Sequence, residues 1–375
     1  TMKIGLIGAG RLGICLALLI EQTGIEVIAS DVREDYINDL QKKKITTAEP
    51  QVQELLEHSQ KIEFTTDNSK VIKESDIIFT LVQTPSLADG SYDVSAVWKV
   101  IDSIKETLDE YLIVGKTFVV GCTTNPGDCD QFKDALKDYA MDVFYNPEFI
   151  AQGSIIDDLR HADMVLLGGQ GHASAVLEHL YYEIQQGFKD AHVHTMSARA
   201  AEITKIAVNC YLTTKITYAN QVGQIMIRDG MGDEVDTVLK AIGGDSRIGT
   251  KYLNYGFGFG GPCFPRDNRA FAAYAEKIGV QTPLGATTDK FNDEHTRFLG
   301  FHYAQLNEER LPYCFKYLTY KEGVDILTES RPYDLAMFLL NSGYKVYCTD
   351  VSLEGKVDSR IIFDTPTEEV ISIDL

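Results

Sequence analysis

No Cys-x-x-Cys pair occurs anywhere in this chain of 375 residues. The cysteines number seven: Cys15, Cys122, Cys129, Cys210, Cys263, Cys314 and Cys348. An odd count without close pairs argues against a disulfide scaffold and a thiolate zinc site, and no metal site is expected. Positive charge is also scarce. Lys and Arg total 35 against 55 Asp and Glu, a formal net charge of −20. Such a field repels nucleic-acid backbones and anionic lipid surfaces. A phosphate-bearing ligand would have to be held by local amides and a few cationic side chains. No apolar stretch is long and uncharged enough to span a bilayer. The first residues run straight into a predicted strand, without the cationic leader and apolar run of a signal peptide. The expected setting is a reducing cytoplasm, with neither nucleic acid nor membrane as partner. Thr1 ahead of Met2 is set aside as an addition. Internal repeats and low-complexity tracts are missing too.

Hydrophobic residues make up 44% of the chain, enough for packed cores, and the length suggests two or three domains. Strand-like apolar runs alternate with helical segments from the start. Lys3–Ile7, Glu26–Ser30, Ile77–Val82, Thr117–Gly121, Asp142–Tyr145 and Met164–Gly168 read as strands of a mainly parallel, doubly wound α/β sheet of Rossmann type. Ala198–Arg228 holds one glycine, Gly223, and no proline, so it reads as a single helix too long for an ordinary crossover. Helical segments continue to about Glu309. Phe315–Tyr320, Lys345–Asp350 and Arg360–Asp364 read as strands of a smaller C-terminal α/β unit, with a helix over Pro332–Ser342. The expected domains are 2–196, a nucleotide-binding Rossmann domain; 197–309, a central helical domain carrying a cysteine loop; and 310–375, a shortened Rossmann-like α/β domain.

Gly8-Ala9-Gly10-Arg11-Leu12-Gly13 follows the first strand and opens a helix. Gly8 allows the tight turn, Gly10 lets a pyrophosphate approach the backbone, and Gly13 lets helix and strand pack closely; the helix N-terminus then faces the phosphates. Asp31 ends the second strand eighteen residues after Gly13, in the place of the ribose-binding acid. Its charge favours NAD over NADP, a preference that Arg33 weakens slightly. Thr84-Pro85-Ser86 and Thr123-Thr124-Asn125-Pro126 each follow a strand at the carboxyl edge. Ligand contact and plain turn chemistry account for them equally well. Glu148, in Asn146-Pro147-Glu148-Phe149, orients water or a ligand hydroxyl, or is a solvated loop carboxylate. Lys205 and Asn209 are four residues apart and share a helical face. The lysine is suited to stabilise an oxyanion or to snorkel from an apolar face.

Residues 256–267 read Gly-Phe-Gly-Phe-Gly-Gly-Pro-Cys-Phe-Pro-Arg-Asp. The glycines let backbone approach a ligand, and the prolines hold the thiol at a turn. Cys263 lies just before a predicted helix start, where amide dipoles favour a thiolate. Asp267 has the opposite effect on charge, so its expected part is to orient water or accept a proton. A nucleophilic thiol and a hydride acceptor in one chain suggest oxidation through a covalent thiol adduct.

Taken together, these motifs resemble the UDP-glucose/GDP-mannose dehydrogenase family of nucleotide-sugar dehydrogenases. The likeness runs in one order from the fingerprint through Val82-Gln83-Thr84-Pro85-Ser86, Thr124, Pro147-Glu148-Phe149 and Lys205-Ile206-Ala207-Val208-Asn209 to Gly260-Gly261-Pro262-Cys263-Phe264-Pro265-Arg266-Asp267. It implies a homodimer supported by the long helix, NAD as cofactor, and a four-electron oxidation of a nucleotide sugar, most closely UDP-glucose. GDP-mannose and a UDP-N-acetylhexosamine are the alternative substrates, and a weakly active nucleotide-sugar sensor is the alternative role. The resemblance assigns thiohemiacetal and thioester formation to Cys263, oxyanion stabilisation to Lys205 with Asn209, water positioning to Asp267 and Thr124, and thioester hydrolysis to Glu148. Cofactor contacts would come from Gly8, Gly10, Arg11, Leu12, Gly13, Asp31, Val82, Thr84, Pro85, Thr124, Gln152 and Arg331. Substrate contacts would come from Glu148, Phe149, Lys205, Asn209, Tyr252, Phe259, Gly260 and Lys321, with Arg247 reaching a neighbouring subunit. Three departures stand out. Gln152 replaces a usual glutamate near cofactor and sugar. Thr328 stands where an arginine ordinarily contacts the cofactor, leaving Arg331 as the candidate for that contact. The chain ends soon after Ile373, so the third domain is expected to lack a last strand and helix.

Overall fold

The computed structural model describes residues 1–188 and 192–375. It divides into two compact units, Thr1–Lys205 and Ile206–Leu375. In the first unit β1 (Lys3–Ile7), α1 (Arg11–Gln22), β2 (Glu26–Ser30), α2 (Glu34–Gln41), α3 (Val52–Glu57), β3 (Ile62–Thr65), α4 (Asn68–Glu74) and β4 (Ile77–Thr80) form one winding of the sheet. The return winding is α5 (Ser95–Tyr111), β5 (Thr117–Val120), α6 (Asp128–Leu136), β6 (Asp142–Tyr145), α7 (Ile155–Arg160), β7 (Val165–Gly168), α8 (Ser174–Gln185) and β8 (Val193–Met196). The strand order is β3-β2-β1-β4-β5-β6-β7-β8, parallel except where β6 meets β7.

Alternation along the strands explains why helices cover both faces. Ile4, Leu6, Val27, Ala29, Ile77, Phe79, Val119 and Phe144 enter one core with α1, α7 and α8. Ile7, Ile28, Ile78, Phe118, Val120, Val143 and Tyr145 enter the other, against α4, α5 and α6. A strand buried on both faces shows no apolar–polar alternation. That is why its sequence reads as a continuous apolar run. The two strands that the sequence reading passes over, β3 and β8, lie at the two edges of the sheet, and half of the residues in β8 are exposed.

The unit boundary falls inside α9 (Ala198–Arg228), which has the predicted bounds. The second unit continues with α10 (Val235–Gly243), α11 (Phe264–Lys277), α12 (Pro283–Leu306), β9 (Tyr313–Phe315), α13 (Arg331–Asn341), β10 (Val346–Cys348) and β11 (Ile371–Ile373). Its small sheet has the order β10-β9-β11, all parallel. Two strand expectations need correction here. The strand read over 315–320 ends at Phe315, because the chain then turns: the Thr319 hydroxyl donates to the Lys321 carbonyl at 2.7 Å, and the Tyr320 amide to Ile326 at 3.1 Å. The strand read over 360–364 is a single bridge between Ile362 and Tyr347. A tight turn in which Asp358 accepts from the Arg360 amide leads into it, and the third strand is Ile371–Ile373.

Candidate active site

The fingerprint glycines occupy three different environments. Gly8 has φ +107°, and an added Cβ would sit 2.7 Å from the Leu81 carbonyl oxygen. A Cβ on Gly13 would lie 2.0 Å from the Gly8 carbonyl oxygen, so helix and strand close on each other there. Gly10, between them, faces open space with nothing within 4 Å. It is also the N-cap of α1 and supplies no capping side chain. The open space at Gly10 lies at a helix N-terminus, where an anion can approach the backbone amides, and it fits a pyrophosphate.

Asp31 follows β2, at the carboxyl end of the strand next to β1. Arg33 grips its carboxylate with two bonds, Nε to Oδ1 at 2.8 Å and Nη2 to Oδ2 at 3.1 Å. The guanidinium lies 4.1 Å from the centre of the Tyr36 ring, and the Tyr36 hydroxyl donates to the Ala9 carbonyl at 2.6 Å. On the other side of β1, the loops after β4 and β5 are tied together. The Thr84 hydroxyl donates to the Thr123 carbonyl at 2.7 Å, and Asn125 exchanges hydrogen bonds of 2.8 Å with the Tyr92 backbone. Val82 packs on the core, and Pro85 is exposed.

Glu49 is a residue that sequence reasoning missed. It is buried, and Oε1 accepts from Arg11 Nε and from the Gly153 amide, both at 2.8 Å, while Oε2 accepts from the Ile155 amide at 3.2 Å. The carboxylate thus ties the first turn of the fingerprint helix to the 151–155 segment. Gln152 sits in that segment with its carbonyl oxygen buried and without a hydrogen-bond partner among the described residues. Nothing in the local sequence marks Glu49, because its partners are remote in the chain.

Further along this unit, Glu148 is half-buried and Lys205 is 5% exposed, with its ammonium 5.0 Å from the centre of the Phe149 ring. Thr124 is fully buried. Its hydroxyl donates to Glu202, whose oxygens also accept from the Gly127 amide at 3.0 Å and the Cys129 amide at 3.3 Å. Burial pushes the Glu202 carboxyl up to about 7, against the pull of these hydrogen bonds, which favour the carboxylate. Glu202 was also missed, although α9 carries a signal for it. Glu202, Lys205, Asn209, Thr213 and Asn220 recur at helical spacing, and all are buried. A polar stripe on a buried helical face requires partners.

In the second unit, Cys263 is the N-cap of α11 and is exposed, and Pro265 lies in the first turn. The Asp267 amide donates to the Cys263 carbonyl at 2.9 Å, closing the first helical turn. Asp267 is 3% exposed, and its Oδ2 accepts from Asn209 Nδ2 at 2.6 Å. The structure therefore brings together Cys263, Asp267 and Asn209.

The loop leading to Cys263 is fixed by its backbone. The Asn292 side chain accepts from the Phe259 amide at 2.9 Å and donates to its carbonyl at 2.8 Å. The Gly256 amide donates to Asn220 at 2.9 Å. His295 Nε2 bonds the Gly256 carbonyl at 2.7 Å, and Gln224 lies 2.8 Å from its Nδ1. This assigns Nε2–H as donor and Nδ1 as acceptor, and burial holds the ring neutral by lowering its pKa to about 4. Gly260 is obligatory for space, since a Cβ would fall 2.2 Å from the Glu329 carbonyl oxygen.

The remaining predicted contacts all lie in the second unit. Arg331 is 7% exposed and bonds the Phe259 carbonyl at 3.3 Å and Asp293 at 2.8 Å, so within this unit it acts as a clasp on the cysteine loop. Arg247 is exposed and paired with Asp245 at 2.7 Å. Tyr252 has φ +62° and is 45% exposed, with its ring 6.0 Å from that of Phe264. Lys321 is half-buried, with its ammonium 5.7 Å from the centre of the Tyr320 ring.

Comparison with known proteins agrees with this arrangement. Residues 2–185 match the NAD-binding domain of the UDP-glucose/GDP-mannose dehydrogenase family, and residues 199–294 match its central domain. A UDP-glucose 6-dehydrogenase of Haloferax volcanii is 30% identical over 356 residues, which cover 92% of this chain and 82% of that protein. The structure of a UDP-glucose dehydrogenase from Pyrobaculum islandicum matches with a TM-score of 0.83 at 26% identity, over 98% of this chain and 87% of that one. A UDP-D-ManNAc dehydrogenase from Pyrococcus horikoshii shares the fold, with a TM-score of 0.77 at 21% identity over 93% of this chain and 84% of that one. The chain therefore belongs to the UDP-glucose/GDP-mannose dehydrogenase family, a family of NAD-dependent nucleotide-sugar dehydrogenases.

Proposed function

We propose that this chain oxidises the C6 alcohol of UDP-glucose to the carboxylate of UDP-glucuronate, using Cys263 as a covalent nucleophile. The observation that carries the reading is the placement of Cys263. It is an exposed thiol at the N-terminus of a fourteen-residue helix, with the buried Asp267–Asn209 pair one turn on. NAD, when bound, accepts one hydride in each of the two oxidations. The chain's own groups do the rest. As the first hydride leaves C6, the hydroxyl proton passes to a water positioned by Asp267 and Thr124. The Cys263 thiolate then adds to the C6 aldehyde, and Lys205 and Asn209 stabilise the oxygen as charge develops on it. Loss of the second hydride leaves a thioester on the same sulfur. Asp267 and Glu148 orient and deprotonate the water that attacks the thioester carbonyl. Carbon–sulfur cleavage then releases the uronate and restores the thiol. Thr124 takes part as a hydrogen-bond acceptor, because Glu202 holds its proton. Covalent capture keeps the aldehyde from escaping between the two oxidations.

The cofactor and substrate contacts of this reading are those of the sequence analysis. A reducing cytoplasm is the proposed setting, since it keeps an exposed thiol reduced. A homodimer is proposed on α9, where Tyr211, Tyr218 and Ile225 recur every seven residues and are 70%, 54% and 62% exposed. The second reading is oxidation of another nucleotide sugar, and Gln152, with its unpartnered carbonyl oxygen, favours it. The test is a panel of nucleotide sugars assayed for NADH and uronate. UDP-glucose is expected to give two NADH per uronate and the highest kcat/KM. A higher kcat/KM for GDP-mannose or a UDP-N-acetylhexosamine selects the second reading. One NADH per turnover, with aldehyde released, excludes the covalent route.

A further inference from the structure

We infer that Arg33 makes the adenosine-ribose pocket of this chain tolerant of a 2′-phosphate, so that NADP binds alongside NAD. In a dinucleotide fingerprint the acid ending the second strand receives the ribose 2′-hydroxyl, and a bare carboxylate there repels a 2′-phosphate. The acid in this chain is not bare. Both Asp31 oxygens are held by the Arg33 guanidinium, at 2.8 and 3.1 Å, in a fork-to-fork pair. Whatever is carried on the ribose 2′-oxygen therefore arrives within reach of the cation.

Two features make Arg33 a receptor for that group. Its side chain is 57% exposed, against 10% for Asp31, so the guanidinium lies on the solvent side of the pair. It also rests on a platform: the Tyr36 ring lies 4.1 Å beneath it, and the Tyr36 hydroxyl is anchored to the carbonyl of Ala9, between the first two fingerprint glycines. A guanidinium has five N–H donors. Two are used on Asp31 side-chain oxygens, which leaves three for a phosphate. Opposing charge comes from Glu34 and Asp35 in the first turn of α2 and from the net charge of −20. NADP is thus expected to bind more weakly than NAD. The inference rests on NAD binding by this unit and is independent of which sugar is oxidised.

The test is calorimetric titration of the purified full chain with NAD and with NADP, for the natural sequence, Arg33→Ala and Asp31→Asn. NADP should bind the natural sequence with a Kd roughly ten times that of NAD, the worth of one unfavourable charge contact at a partly exposed site. Arg33→Ala should weaken NADP roughly ten- to a hundredfold while shifting NAD by less than about threefold, the size of a rim contact. Asp31→Asn should tighten NADP and weaken NAD. Equal weakening of both cofactors by Arg33→Ala, or an NADP affinity that Arg33→Ala leaves unchanged, would overturn the inference. Circular dichroism and the thermal midpoint of each variant, compared with the natural sequence, report on folding independently of the cofactors, so equal weakening in a folded Arg33→Ala counts against the inference.

Discussion

Cys263 differs from the other six cysteines in its surroundings, and that difference can be measured. Cys15, Cys129 and Cys348 are buried, and burial raises their thiols, to about 12 for Cys15 and about 11 for Cys348. Cys122 and Cys210 are pushed to about 12 by the same cause, and Cys314 is raised as well. The thiolate is the reactive form, so none of these six is suited to rapid alkylation near neutral pH. Iodoacetamide at pH 7.5 should label Cys263 first, at least about tenfold faster than any other cysteine, since each pKa unit changes the thiolate fraction about tenfold. Peptide mass spectrometry over a time course checks this. Rapid labelling that persists in Cys263→Ser would contradict it. The place of this residue at a helix start was legible in the sequence, because a cysteine between glycines and a Pro-containing helix start is a local signal. Glu49 carried no such signal, since its partners Arg11, Gly153 and Ile155 lie 38, 104 and 106 residues away.

At the scale of elements, α9 shows both what was legible and what was not. Its bounds follow from the absence of proline and from apolar spacing, and Gly223 within it is explained only by packing. A Cβ there would lie 2.1 Å from Cδ2 of Tyr255. Helix propensity favours Gly→Ala by about 1 kcal/mol, but overpacking of a filled site costs about 1–3 kcal/mol. Gly223→Ala should therefore destabilise the second unit by about 1 kcal/mol in urea titration, the difference between those two effects. A gain in stability would show that Tyr255 yields. The small C-terminal sheet was misread at 315–320 and 360–364 for a related reason. Its strands are only three residues long, too short for alternation to declare them.

The same scale sets a pH dependence in each unit. Glu202 titrates near 7 in the fold, against 4.5 for an ordinary glutamate. Its contribution to stability is complete below about pH 4.5 and is lost as pH rises toward about 7. His295, pulled down from 6.5 to about 4, works the other way. Its contribution is complete above about pH 6.5 and is lost as pH falls toward about 4. Denaturant titration of the natural sequence and Glu202→Gln between pH 4.5 and 7.5 isolates the first effect. The stability of the natural sequence relative to the variant should fall by on the order of 3 kcal/mol across that range. A difference that does not vary with pH would contradict a buried, protonatable Glu202.

At the scale of the whole molecule, the two family-matched stretches, 2–185 and 199–294, are the NAD-binding and central domains of the family, and the proposed reading gives covalent capture to the second. The first half was readable because βα alternation and Gly-x-Gly-x-x-Gly are short-range patterns with one geometric meaning. The second half was readable at Cys263 and Asp267, which are neighbours in sequence. It was less so at Asn292, His295 and Arg331, which fix the cysteine loop from distant helices and have no local signature. The net charge of −20 sets a further expectation for the molecule, because an anionic substrate must overcome a repulsive field. Raising ionic strength from 0.02 to 0.2 M, which shortens the screening length roughly threefold, should lower KM for a nucleotide sugar. A KM that rises steeply with salt would mean that local cations dominate the approach. The most direct test of the account is the uronate made by Cys263→Ser, with NAD and UDP-glucose in excess, beside the natural sequence. The account predicts that the natural sequence accumulates uronate while the variant forms none above background. Uronate formation by the variant at a rate near that of the natural sequence would contradict it.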